Sequence, residues 1–168
     1  VPTRLAVVSD THLPKRARAL PEEVWRAIDT ADVVVHAGDW VHLPLLDEFE
    51  RRSRTLVAVR GNNDGPEFDD RLPLVAHATV DGVRLGVVHE TGAKEGREVR
   101  ADHEHPALDL LVFGHSHIPW DSVTPGGTRI LNPGSPTDRR RQPTGSYLTL
   151  TLDSGVIRDV TLHRIPPR

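Results

Sequence analysis

Five times in the first 117 residues a short apolar run ends in an aspartate, histidine or asparagine. The runs are Val7-Val8-Ser9-Asp10-Thr11-His12, Val33-Val34-Val35-His36-Ala37-Gly38-Asp39, Val57-Ala58-Val59-Arg60-Gly61-Asn62-Asn63-Asp64, Leu85-Gly86-Val87-Val88-His89 and Leu110-Leu111-Val112-Phe113-Gly114-His115-Ser116-His117. Runs this short and this continuously apolar read as strands buried on both faces. A set of such strands places its tips along one rim, and ligands of α/β sheets sit beyond the carboxyl ends of the strands. The last run is the most telling. Its two histidines at i and i+2 leave a strand on one side or splay across a turn, and either geometry suits metal capture.

Between these runs the pattern turns helical. Pro21 opens a helix at its favoured first position, Glu22 and Glu23 complement the dipole, and Val24, Trp25 and Ile28 face inward. A second helix is predicted from about Pro44 to Arg52, with Leu45, Leu46 and Phe49 inward. The resulting β-α-β-α-β alternation predicts a parallel, doubly wound sheet. The loop from Asp10 to Leu20 is expected to be exposed beside the site. After Pro73 two strands, Leu74 to Val80 and Val83 to Val88, flank the hairpin signal Asp81-Gly82. Residues 94–103 form a poor helix, weakened by Gly96. Thr128 to Leu131, Ser146 to Leu152 and Val156 to His163 read as antiparallel strands. Near ten strands exceed what one open sheet holds comfortably, which predicts two stacked sheets with helices outside.

The 168 residues suit one domain, 1–168. A formal charge of −3 gives no global pull toward nucleic acid or anionic membrane. With no cysteine there is neither a disulfide framework nor thiolate zinc, so any metal must be held by oxygen and nitrogen. No run is long and apolar enough to span a bilayer and no signal peptide is recognisable, so a cytoplasmic protein is expected.

Together, Asp10-x-His12, Gly38-Asp39, Gly61-Asn62-Asn63-Asp64, His89 and Gly114-His115-Ser116-His117 resemble the five motifs of the calcineurin-like metallophosphoesterases, in order. The similarity is greatest to the small single-domain prokaryotic phosphodiesterases, and Asn132-Pro133-Gly134-Ser135 extends it. This resemblance implies an α/β, four-layer αββα sandwich of two mixed sheets. It also implies two divalent metal ions, with manganese first and Fe, Ni, Co, Zn or Mg as alternatives. By resemblance, Asp10, His12 and His117 hold one ion, Asn62, His89 and His115 the other, and Asp39 bridges. Seven side chains with one shared give each ion four protein bonds and leave positions for water. Two such ions about 3.5–4 Å apart clamp the attacking and departing oxygens of a phosphoryl displacement. The implied activity is hydrolysis of a phosphodiester or nucleotide-type small molecule by a metal-bridging hydroxide, with nucleic acid only as substrate. Asp39, Asn62, Asn63 and Asp64 are the residues nearest the reaction. The alternative is a phosphoesterase-fold binding scaffold, similar to the small subunit of the retromer coat.

Two positions depart from the family pattern. Asn63 stands where many members carry histidine and cannot protonate a leaving oxygen near neutral pH. Glu90 stands where glycine is usual; its carboxylate orients a ligand, meets the cluster or points to solvent. Among Arg139-Arg140-Arg141, Arg139 or Arg140 contacts substrate phosphate, or the run is a solvated loop. Trp40 either lines the pocket and stacks on a base or packs beneath the loop. His36 reads as a supporting or packing residue, His42 as either substrate-facing or exposed, and His77, His103, His105 and His163 as surface residues.

Overall fold

The computed structural model describes residues 1–15 and 17–166. The elements run β1 (Thr3–Val8), α1 (Glu22–Thr30), β2 (Val33–His36), α2 (Leu43–Arg52), β3 (Leu56–Ala58), β4 (Val75–Val80), β5 (Val83–Val88), α3 (Arg97–Glu104), β6 (Leu110–Val112), β7 (Trp120–Val123), β8 (Arg129–Asn132), β9 (Gly145–Asp153) and β10 (Val156–Ile165). They form two five-stranded mixed sheets, ordered β10-β9-β1-β2-β3 and β4-β5-β6-β8-β7. In the first, β1, β2 and β3 are parallel; in the second, β5, β6 and β8 are. Six parallel strands thus bring their carboxyl ends to one side of the molecule.

The side-chain alternation of the strands decides the layering. Leu5 and Val7 of β1 and Val33 and Val35 of β2 pack between the sheets, against Val83, Leu85 and Val87 of β5 and Leu110 and Val112 of β6. Their neighbours Ala6, Val8 and Val34 point the other way, into a core with Val24, Trp25 and Ile28 of α1 and Leu45, Leu46 and Phe49 of α2. On the far side, Leu111, Ile130, Phe113 and Val88 pack against Ala101 of α3. Both faces of each sheet are covered, which is why the parallel strands are continuously apolar. The order is helices, sheet, sheet, helix: the expected four layers.

The strand at Arg129–Asn132 was expected to be antiparallel; it runs parallel to β6 and antiparallel only to β7. β7 itself went unpredicted because Trp-Asp-Ser-Val lies at a sheet edge with one apolar face. The second sheet is therefore a parallel set, β5, β6 and β8, with antiparallel strands β4 and β7 at its two edges. The third helix spans Arg97–Glu104, and Gly96 precedes it in a left-handed conformation at φ 71°, so the glycine starts the helix instead of weakening its middle. Asp81 and Gly82 both have positive φ, 47° and 79°, which suits a two-residue hairpin between β4 and β5. The loop after β1 is only partly exposed: Leu13 and Leu20 are buried in the helix-side core. Among the described residues no helix is long and apolar enough to cross a membrane.

Candidate metal centre

At the carboxyl ends of the parallel strands the backbone leaves ordinary conformations. Asp10, His12, Asp39, His115 and His117 all have positive φ, between 46° and 75°. Each such residue without glycine's freedom costs about 1–3 kcal/mol and persists where surrounding bonds hold it. Those bonds are present. The Asp10 amide donates to Gly38 O at 2.9 Å, the His12 amide to Asp39 O at 3.1 Å, and the Gly114 amide to His89 O at 2.9 Å. The glycines permit close approach. A side chain at Gly61 would run into Asp39 and the His89 ring, and one at Gly114 into Ser9 and Asp10.

Within this frame the Oδ1 of Asp10 lies 3.5 Å from His117 Nε2, 3.8 Å from His12 Nε2 and 3.9 Å from His89 Nε2. Asp39 Oδ2 lies 3.3 Å from His12 Nε2 and 3.4 Å from His89 Nε2. Two groups have metal-ligand spacing: Asp10, His12 and His117, and Asp10, Asp39 and His89. Asp10 Oδ1, His12 Nε2, His89 Nε2 and His117 Nε2 are buried without a hydrogen-bond partner. Leaving one such atom unpaired costs about 1–3 kcal/mol, so four turned toward one point ask for a common partner. A donor set of carboxylate oxygens and imidazole nitrogens fits a divalent ion of borderline or hard character.

The supporting contacts fix which ring nitrogen is available. His89 Nδ1 faces Ala37 O at 2.8 Å and His117 Nδ1 faces Asp138 O at 2.6 Å. A carbonyl only accepts, so Nδ1 carries the proton in both rings and Nε2 presents its lone pair. Asp10 Oδ2 is held by Ser9 Oγ at 2.7 Å and the His115 amide at 2.9 Å. Asp39 accepts from the Asn63 amide at 2.9 Å and from Asn63 Nδ2 at 2.8 Å. Ser135, from the Asn132-Pro133-Gly134-Ser135 segment, donates to Asp10 O at 2.8 Å, and Asn132 Nδ2 donates to Gly114 O at 3.1 Å.

Electrostatics follow from crowding. Burial pulls the His12 pKa down, but Asp10 and Asp39 outweigh it and carry it up to about 9. Burial likewise opposes His89, yet Asp39 and Asp10 raise it. Asp39 is held well below the usual carboxylate range: burial pushes it up, and the stronger pull of His12 and His89 brings it down. His117 is lowered, chiefly by burial. Such a pocket, with Asp39 ionised and His12 and His89 holding protons, exchanges those protons for a cation as pH rises.

The seven expected ligands do not all converge equally. Asp10, His12, Asp39, His89 and His117 lie buried together. Asn62 and His115 sit beside one another on the open rim, with His115 Nδ1 and Asn62 Oδ1 3.2 Å apart. Asn63 is exposed, and its side chain holds Asp39. Asp64 takes the amides of Asp39, Val41 and Gly61, and burial raises its pKa. Asp64, which the resemblance sets among the residues nearest the reaction, thus holds the backbone of the loops that carry Asp39 and Asn62.

Trp40 is corrected: its side chain is fully buried, stacked on His36 at 3.6 Å and donating to Val59 O, so it packs beneath the loop and meets no substrate. His36 supports the site as expected. Its Nδ1 accepts the Gly38 amide at 3.0 Å, which leaves Nε2–H for Thr11 Oγ1 at 3.2 Å. Arg139 turns to Gln142 O at 2.9 Å, whereas Arg140 Nε lies 3.9 Å from Asp138, on the His117 side. Glu90 Oε1 is 3.9 Å from His115 Nε2, and His42 is exposed at the start of α2. Ser9 has no signal in sequence, since a serine after an apolar run is common, whereas Ser135 closes the Asn132-Pro133-Gly134-Ser135 segment and anchors it to Asp10 O.

A family model described as calcineurin-like phosphoesterase superfamily domain matches residues 4–155. This chain belongs to that superfamily. A probable metallophosphoesterase of Methanothermobacter thermautotrophicus is 31% identical over 165 residues, covering 92% of this chain and 91% of the relative. A phosphodiesterase of Methanocaldococcus jannaschii is 36% identical over 138 residues, covering 68% and 73%. Among solved structures, a Thermotoga maritima protein aligns with TM-score 0.76 at 33% identity, over 97% of this chain and 99% of that one. Vacuolar protein sorting 29 from Cryptosporidium parvum aligns with TM-score 0.79 but 17% identity, over 99% of both chains, and shares the fold. Membership of the calcineurin-like superfamily implies divalent metal ions, and the buried groups around Asp10 and Asp39 are the candidate ligands.

Proposed function

We propose that this member of the superfamily is a dinuclear metal-dependent phosphodiesterase. The observation that carries the reading is the set of four buried, unpaired ligand atoms on Asp10, His12, His89 and His117, with Asp39 Oδ2 lying between His12 and His89. Asp10, His12 and His117 would hold one ion. His89 would hold the other, with Asn62 and His115 joining it from the rim and Asp39 shared. Once bound, the pair would polarise the phosphoryl oxygens and lower the pKa of a coordinated water. Manganese is the first ion to test.

The chain's own residues account for the rest. Ser9, Asn63 and Ser135 hold the two aspartate loops, and Ala37 O and Asp138 O keep the protons of His89 and His117 away from the centre. Arg140, exposed near His117, would orient a phosphate oxygen. Asn63 is committed to Asp39 and is no acid, so esters of acidic alcohols should react faster than alkyl esters.

The direct test is metal content and hydrolysis of bis(p-nitrophenyl) phosphate with added manganese. Metal uptake with turnover is expected in the wild type, and loss of both in Asp39→Asn. A wild type that takes up no manganese by calorimetry and cleaves no activated diester would overturn the reading.

A further inference from the structure

Beside the proposed metal centre lies a cleft of about 370 Å³ that the motifs do not account for. Two candidate ligands, Asn62 and His89, are among its lining residues, so whatever fills it lies beside the proposed centre. One wall is aliphatic: Leu74 is 61% exposed and Val75 41% exposed. The lining also carries the carboxylates of Glu90 and Glu104, with Glu90 Oε1 3.9 Å from His115 Nε2. Among the described residues neither is paired with a lysine or arginine. The cleft's guanidinium, Arg60, is occupied by Leu72 O and Asp69. Away from the proposed ions the cleft therefore presents two carboxylates beside exposed aliphatic side chains, while the other flank of the site, at His117, presents Arg140.

An anionic group placed beside Glu90 and Glu104 is repelled by them, and a nucleobase would find no large aromatic ring among the lining residues to stack on. A short aliphatic chain ending in an ammonium satisfies both features: methylenes against Leu74 and Val75, charge toward Glu90 and Glu104. Resting on the phosphodiesterase reading above, we infer that the cleft is a specificity subsite for the amino-alcohol ester group of a phosphodiester. It also gives Glu90, which departs from the family's usual glycine, a role toward substrate.

Three p-nitrophenyl diesters test this, carrying 2-aminoethyl, 2-hydroxyethyl or 2-carboxyethyl as the second group. In each, water's oxygen forms a new P–O bond, the bond to p-nitrophenolate breaks, and the alkyl phosphate remains. With manganese-loaded protein, kcat/KM is expected to fall in the order amino, hydroxy, carboxy. At least about tenfold should separate the first from the last at low salt, shrinking as salt rises. Glu104→Gln and Glu90→Gln should each narrow that ratio. Equal rates for the three esters, with bis(p-nitrophenyl) phosphate still cleaved, would overturn the subsite and leave the hydrolase reading intact. If no diester is cleaved, the hydrolase reading fails and the subsite is judged by binding of phosphoethanolamine. Methyl resonances of Leu74 and Val75 that shift on its addition, and do not shift with phosphoglycolate, support it; no shift overturns it.

Discussion

Asp64 ties together the two loops that carry Asp39 and Asn62, and removing its carboxylate should loosen both. Its Oδ2 accepts the Gly61 amide at 2.7 Å and the Asp39 amide at 3.0 Å, while Oδ1 accepts the Val41 amide at 2.7 Å. In Asp64→Asn the amide oxygen can keep the first two, but the new NH2 group faces the Val41 amide, donor against donor. One unsatisfied donor costs about 1–3 kcal/mol. In Asp64→Ala all three amides lose their acceptor. The plain sum exceeds what a half-exposed loop will show, because water reaches some of the freed groups, so the expected loss is about 3–5 kcal/mol. Urea unfolding of the metal-free protein measures it, with the midpoint falling at an unchanged slope. Calorimetric titration with manganese reads the second consequence, a loss of about 10–100-fold in affinity, typical when a residue supporting a ligand is removed. An Asp64→Ala protein within about 0.5 kcal/mol of wild type and with unaltered manganese affinity would refute the assignment of Asp64 as the loops' common anchor.

Other outcomes follow from the same geometry. His12 has its folded-state pKa raised to about 9 from 6.5, so the stability it adds to the metal-free protein is full below pH 6.5 and is lost as pH rises to about 9. Metal must displace that proton, so the thermal shift produced by manganese should grow across the same window. A shift that is flat or shrinks with pH would contradict this. Asn63→Ala should weaken metal binding by about 10–100-fold, since Asp39 Oδ2 loses the Asn63 Nδ2 donor while the backbone amide still serves Oδ1. Asn63→His, if it retains metal, should gain on alkyl diesters relative to aryl ones; an unchanged ratio of the two rates would count against leaving-group protonation as the missing function. Gly61→Ala should fold poorly or lose metal, because the added carbon meets Asp39 and lies 2.9 Å from His89 Nδ1. Circular dichroism and metal analysis distinguish these. Tyr147→Phe removes the bond to Glu23 Oε2 at 3.1 Å, far from the site, and should cost about 0.5–1.5 kcal/mol with metal uptake unchanged.

Much of this was legible in the residues because strand and helix patterns are local. The apolar runs ending at Val8, His36, Val88 and Val112 all became strands, and the inward faces of α1 and α2 contain the side chains their spacing predicts. The misreadings have a common cause. The strand at Arg129–Asn132 pairs in parallel with β6 because the unanticipated β7 occupies the edge, and four residues of one-sided hydrophobicity at an edge give a weak signal. Trp40 looked able to reach a ligand because it follows Asp39. Its direction was set by the space between His36 and Phe49, which only packing reveals.

By itself the sequence determined the ingredients: buried parallel strands, oxygen and nitrogen donors at their tips, no sulfur donors, and glycines beside the aspartates. Tertiary structure decided which donors meet. The amide of His115 binds Asp10 across 105 residues of chain, and that distance depends on sheet packing that no periodicity encodes. It decided, too, that five ligand candidates adopt positive φ, that Asn63 and Asp64 hold loops, and that Asn62 and His115 stand at the rim. Local pattern fixes which face a side chain takes. The stacking of two sheets fixes what stands opposite it.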